Sequence, residues 1–289
     1  MVEPLTPDGT PERDWQSWLS ANPLPELDLS ALTGAGRVLV LAAHPDDEVL
    51  AVAGLCRALH AAAVPLAFVW ASDGEAAFGP GTEDSGLART RRKEAVKGLQ
   101  RLGIEEPTAF FLALPDGRLG EYAHLLKGFL SDIVRDDDVL LVPWSGDGHP
   151  DHEVCGEVAL TVRGAGVVQY PLWLWRWATP GEQTVPWQRA GSLRLSEADR
   201  DAKRTAIGEH ATQVRPPAKG RGAKPRGSDT TDSDTTDSDT TDSDTTDSDT
   251  TDNDTKDNDT KDREPTDGGA VLPPSVLAYF DRDFEVVFG

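Results

Sequence analysis

The chain has 289 residues, 38% hydrophobic and 27% charged, with a formal net charge of −22. That length holds one large α/β domain or two small ones. A chain this acidic offers no basic footprint to nucleic acid and no attraction to anionic lipid.

The charge is uneven. Residues 228–262 hold fourteen Asp and two Lys, so −12 of the −22 lies there and the rest of the chain carries −10. The two cysteines, Cys56 and Cys155, sit in separate apolar stretches and read as buried free thiols rather than a disulfide. The N-terminus, MVEPLTPDGTPERDW, is polar and Pro-rich, unlike a signal peptide, and no run approaches the ~18 apolar residues of a membrane span. The expected location is the cytoplasm.

In chain order, residues 1–35 carry scattered Pro and Gly with two Trp and read as an N-terminal arm. RVLVLAA (37–43) is a continuous apolar run, as expected of a strand buried on both faces. Residues 47–60 have helical periodicity, and PLAFVWAS (65–72) reads as a second buried strand. A charged amphipathic helix over 88–102 stops at Gly103. TAFFLAL (108–114) is a third strand, a helix covers roughly 121–134, and VLLVPW (139–144) is a fourth strand.

Strands alternating with helices in this way predict βαβ units on a parallel sheet, with ligands beyond the C-terminal strand ends. From residue 167 the run VVQYPLWLWRWA predicts a strand whose Trp173, Trp175 and Trp177 share one face. Those rings either pack on a helix or stack on a sugar or apolar aglycone. Ser196-Glu-Ala-Asp199 reads as a capping box opening a helix to about Val214.

The Thr-Thr-Asp-Ser-Asp repeat has nothing apolar to bury and repels itself, so it predicts a disordered spacer. It lacks the Gly turn and bidentate Glu of an EF-hand loop. VLPPSVLAYFDRDFEVVF then predicts a short helix and a closing strand. The expected fold is α/β, a Rossmann-like domain with a mostly parallel sheet flanked by helices. Its parts are the arm (1–35), the main domain (36–215 with 270–289) and an acidic linker (216–269).

Two clusters carry chemistry. His44-Pro45-Asp46-Asp47-Glu48 follows the first strand, and Asp147-Gly148-His149-Pro150-Asp151-His152 follows the fourth. Both fall at the same sheet edge, and together they hold three of the six histidines. Imidazole and carboxylate suit zinc, and a catalytic zinc keeps three protein ligands and one open position. His and Asp from one loop and His from the other supply that count. A carboxylate off the metal is needed to take a proton from water, and a further histidine can stabilise an oxyanion or protonate the amine. A lone Asp at a helix start is often only a cap, but two such clusters at equivalent strand ends point to a ligand site.

At these residues the chain resembles the LmbE/PIG-L family of zinc-dependent N-acetylglucosaminyl deacetylases. The resemblance rests on AAHPDDEVL (42–50), RTRRKEAVKGLQRLG (89–103), FLALPDGRL (111–119), GHPDH (148–152), HATQV (210–214) and the closing segment around Phe284-Glu285-Val286. It implies His44, Asp47 and His152 as metal ligands, Asp46 as general base, and His149 as oxyanion stabiliser or acid. Spacing alone does not decide between Asp46 and Asp47.

Less directly, the resemblance implies that Arg91 contacts the substrate's polar head, a solvated helix face being the alternative. Asp116 would meet sugar hydroxyls, and His210 and Gln213 would lie behind or at the rim of the site. The branch acting on mycothiol precursors carries Tyr where this chain has Asp147, so that substrate is not implied. The expected reaction is hydrolysis of an N-acyl, above all N-acetyl, group on a small-molecule amino sugar or glycoside, with Zn2+ or another divalent transition metal. Rivals are an amidase of a thiol conjugate or natural-product glycoside, and a non-catalytic binding module on the same fold.

Overall fold

The computed structural model describes residues 9–79, 81, 83–164, 166–216 and 270–289. The expected disordered linker therefore lies outside the described residues, apart from residue 216.

Seven strands form one sheet in the order β3-β2-β1-β4-β5-β7-β6. They are β1 (Arg37–Ala42), β2 (Leu66–Ser72), β3 (Thr108–Leu114), β4 (Asp138–Pro143), β5 (Gly166–Tyr170), β6 (Ala190–Arg194) and β7 (Phe284–Phe288). β1 to β5 pair in parallel, and β7 runs antiparallel to both β5 and β6. Before the sheet come α1 (Glu12–Ala21) and α2 (Ser30–Thr33). The parallel crossovers are α3 (Asp47–Ala51) with α4 (Ala53–Ala61), then α5 (Ser85–Arg101), α6 (Leu119–Ile133) and α7 (Pro150–Leu160). Beyond β5 lie α8 (Leu174–Trp177), α9 (Glu197–Glu209), α10 (Ala211–Val214) and α11 (Pro274–Leu277).

The core has two halves, one on each face of the sheet. Val38, Val40 and Ala42 join one cluster and Leu39, Leu41 and Ala43 the other, which is why β1 reads as continuously apolar. The first half takes apolar residues of α3, α4, α5 and α9, and the second those of α6 and α7. Within the segment read as an arm, α1 packs on the first half. Its Trp15 is fully buried and donates from Nε1 to the Trp175 carbonyl at 2.7 Å.

Three elements differ from the sequence expectation. The helix expected over 47–60 is two helices, broken at Val52 with φ −134°. The second starts on its own anionic cap, because Glu285 accepts from the Gly54 and Leu55 amides, both at 2.9 Å. The aromatic run is a strand only over its first four residues, which belong to β5; the part holding Trp173, Trp175 and Trp177 is not. The Asp147 carboxylate accepts from the amides of Leu172, Trp173 and Leu174 and turns the chain into α8. The Ser196 cap forms as expected, Oγ accepting from the Asp199 amide at 3.2 Å, but α9 ends at Glu209 and His210 separates it from α10.

Two predictions follow from this packing. Glu285 and Lys203 are a buried pair, Nζ to Oε1 2.8 Å. Glu285→Ala would strand the ammonium and two helix amides, and urea denaturation is expected to show a loss of about 3–5 kcal/mol. The double variant with methionine at both positions is expected to recover most of it, and an additive result would refute the pairing.

His210 is 1% exposed. Burial, then the Arg91 charge, pulls its pKa down to about 3. Between that value and the unfolded value of ~6.5 the unfolded chain binds a proton that the folded chain refuses. Stability is therefore complete above ~6.5 and declines toward pH 3, by up to about 1.4 kcal/mol per pH unit. Denaturation of metal-free His210→Phe across that range is expected to show a shallower decline, and an unchanged slope would refute the assignment.

Candidate active site and metal centre

β1 and β4 are neighbours whose connections leave to opposite faces of the sheet, so a crevice opens beyond their C-terminal ends. The loop after β1 delivers His44, Asp46 and Asp47, and the loop after β4 delivers Asp147, His149, Asp151 and His152. α7 can start this close because Gly156 lies against the end of β4. A Cβ there would sit 2.7 Å from the Pro143 carbonyl oxygen and the Ser145 nitrogen. Gly148 turns the second loop at φ +80°, beneath the Trp177 ring.

The ligand atoms of His44, Asp47 and His152 lie within 4.8 Å of one another. Asp47 Oδ2 accepts from the Ala43 and His44 amides at 2.8 and 3.0 Å, which leaves Oδ1 facing His152 Nε2 at 3.5 Å. Each imidazole is held by carboxylate on its other side. His152 Nδ1 is 2.8 Å from Asp147, and His44 Nε2 is 3.0 Å from Asp116 and 3.2 Å from Asp151. His152 Nε2 is buried and has no hydrogen-bond partner among the described residues.

Carboxylate-held imidazoles turned toward a third ligand are the usual surroundings of a metal. These residues therefore fit a divalent metal, on an orphaned ring nitrogen and a two-imidazole, one-carboxylate donor set. A second group, His44, His149 and Asp151, also has ligand atoms within 4.8 Å of one another. There the atoms are already engaged. Asp151 accepts from the Gly117 and Leu119 amides and faces His44, while His149 Nδ1 accepts from the Asp151 amide.

The electrostatics favour a cation. Burial opposes the charged form of His44, but Asp116 and Asp151 outweigh it and hold its pKa well above the ordinary value. Burial likewise opposes protonation of His152, and Asp47 and Asp147 raise it. For His149 burial, then the His152 and His44 charges, outweigh Asp116 and pull the pKa down to about 2. Asp46 is pushed up to about 6, mainly by burial, with Arg91 opposing.

The remaining expected site residues divide. Arg91 is buried rather than on a solvated face. Its fork donates to the Gly74 and Pro45 carbonyls at 2.9 Å each, and Nη2 lies 3.2 Å from Asp46. Asp116 accepts from the Ala76 amide at 2.9 Å and faces His44. His210 is buried against the Pro45 backbone, and Gln213 donates to Thr212 Oγ1 at 3.1 Å. Asp151 and Glu48 stand within the two motifs, but the sequence reading gave neither a role.

Comparison with known proteins accords with the motifs. Residues 39–162 match the PIG-L family model, described as GlcNAc-PI de-N-acetylase. The probable N-acetyl-alpha-D-glucosaminyl L-malate deacetylase 2 of Bacillus subtilis (strain 168) is 29% identical over 131 residues, 43% of this chain and 58% of that protein. The chain thus spans less than two thirds of that relative.

Among solved structures, N,N'-diacetylchitobiose deacetylase from Pyrococcus horikoshii shares 20% identity, covering 72% of this chain and 80% of its own, with a TM-score of 0.48. A triple mutant of a deacetylase of the teicoplanin biosynthetic pathway shares 17%, covering 62% and 83%, also at 0.48. The sequence resemblance holds across the segment that carries both His/Asp motifs: the match to the PIG-L family model spans residues 39–162.

Proposed function

We propose that the chain is a divalent-metal-dependent hydrolase that removes an N-acyl group, above all N-acetyl, from a small molecule containing an amino sugar. The observation that carries this reading is the convergence of His44, Asp47 and His152 at the crevice between β1 and β4, with Asp46 beside them. The family match over 39–162 and the named activity of the Bacillus relative support the amide and the sugar. The ligands suit zinc, and iron or cobalt would accept them too. When bound, such a metal polarises the amide carbonyl and makes water nucleophilic near neutral pH.

The chain's own groups then have separate tasks. Asp46, raised to about 6, is the proton acceptor for the attacking water. Its Arg91 contact fixes one carboxylate oxygen, leaving the other for that proton. His149 accepts a backbone hydrogen bond at Nδ1, so in its neutral form the ring proton sits on Nε2. That favours donation to the developing oxyanion over delivery of a full proton. Asp147, Asp116 and Asp151 orient the histidines.

The working domain in this proposal is 36–215 together with 270–289. The placement of β7 between β5 and β6 supports joining the two segments.

The test is metal content and amine release from N-acetylglucosaminides. Wild type is expected to hold about one metal per chain, as a three-ligand catalytic site does, and to release amine. Asp46→Ala should keep the metal and lose about 10²–10⁴ in turnover, as removal of a general base does. His152→Ala should lose both. Asp147→Ala is expected to weaken metal affinity about 10–100-fold through the imidazole it orients. A wild-type chain that binds no divalent metal under any loading would overturn the hydrolase reading.

A further inference from the structure

Asp46 has φ 145° and ψ −23°, a backbone conformation that residues with a Cβ rarely enter. Such strain persists only where the surroundings over-determine it, and it clusters at functional sites. Four contacts hold it here. The Asp46 carbonyl accepts from the Val49 and Leu50 amides at 3.1 and 2.9 Å, as any first turn of a helix would. The carboxylate faces Arg91. The fourth contact is the unusual one: the Asp46 amide donates to Glu48 Oε2 at 3.2 Å, a side chain two residues ahead that reaches back.

Glu48 is itself held. It is 1% exposed, and the same Oε2 accepts from Trp70 Nε1 at 3.0 Å. Trp70 is fully buried and stacked on Phe111, with ring centroids 4.5 Å apart and planes 8° off parallel. Its other neighbour is Phe68 at 6.0 Å and 20°. Burying a carboxyl in such a place is unfavourable, and an aliphatic side chain would fill it more cheaply. The group is explained by what it holds.

We propose that Glu48 is a positioning residue for Asp46. Its hydrogen bond fixes the Asp46 peptide in the strained conformation that aims the Asp46 carboxylate into the crevice, and the Trp70 ring stack fixes Glu48. The inference rests on the reading of Asp46 as the proton acceptor, and its test separates the two.

The variants are Glu48→Met and Glu48→Gln, made in the metal-loaded wild type and in Asp46→Asn. In wild type, Glu48→Met is expected to leave metal content and KM within about 3-fold and to lower kcat about 30–100-fold, the signature of a lost transition-state arrangement. Glu48→Gln, which keeps an acceptor for the amide, should recover most of that. In Asp46→Asn, Glu48→Met should cost nothing further, because a residue acting through Asp46 has nothing left to act on. Hydrogen exchange at the Asp46 amide supplies a readout without substrate: about 10-fold faster in Glu48→Met and near wild type in Glu48→Gln.

Trp70→Phe keeps an aromatic ring on Phe111 and removes the donor along with part of the indole. It should shift the exchange in the same direction by less, and it serves if Glu48→Met does not fold. Equal losses in both Asp46 backgrounds, unchanged exchange, or a loss traced to metal release would each overturn the proposal. Absence of turnover in wild type would overturn the deacetylase reading, and the exchange arm would still decide whether Glu48 holds Asp46.

Discussion

β1 and β4 lie side by side, yet the chain leaves them toward opposite faces of the sheet, into α3 on one side and α7 on the other. No loop can then close over the ends of both strands, and the crevice between them is a consequence of connectivity. The rest of the site depends on this opening. Two short loops enter it from either side, each turning straight into a helix, and each helix carries one imidazole or carboxylate back over the strand ends. Gly156 lets α7 lie against β4 closely enough for His152 to reach Asp47.

Such a crevice gathers many carboxylates into a buried space, which is unfavourable unless each is satisfied. Here backbone amides do most of that work. Asp147 accepts three, Asp151 two and Asp47 two, so these groups sit in fixed positions before any ligand arrives. Asp46 differs from its neighbour Asp47. Among the described residues its carboxylate has the Arg91 guanidinium and no backbone amide as partner, and burial moves its pKa upward. Under the function proposed above, this difference in surroundings is what divides ligation by Asp47 from proton transfer by Asp46.

Much of this is legible in the sequence, and what is not has a physical reason. The strands β1, β2 and β4 are apolar on both faces, so continuous runs announced them, and the two His/Asp motifs fell at their ends. The break at Val52 was invisible because its cause, the Glu285 carboxylate, comes from 231 residues beyond the Gly54 amide that it caps. Trp173, Trp175 and Trp177 alternate as a strand would, but Asp147 bends that segment into a helical turn through contacts that begin 25 residues away. The same limit hid Asp151 and Glu48. Their neighbours in sequence were plain, but their partners, Gly117 and Trp70, are brought to them only by the sheet. Arg91 shows the converse: the pattern of a charged amphipathic helix left a solvated face open as the alternative to a substrate contact, while α5 turns the side chain inward beneath Pro45.

Asp147 joins two parts of the molecule that could otherwise vary separately. One carboxylate orients His152 and also accepts the amides that start the aromatic turn, while its carbonyl accepts from Trp177 Nε1 at 2.7 Å. Trp173, half-buried in that turn, has its ring 6.2 Å from His149 and nearly parallel to it. The aromatic rim and the imidazole beneath it thus share one anchor. A substitution that reshapes the rim must leave the amides of residues 172–174 where they are, or it tilts His152 as well. Freedom to alter what enters the crevice therefore lies in the side chains of that turn and not in its backbone.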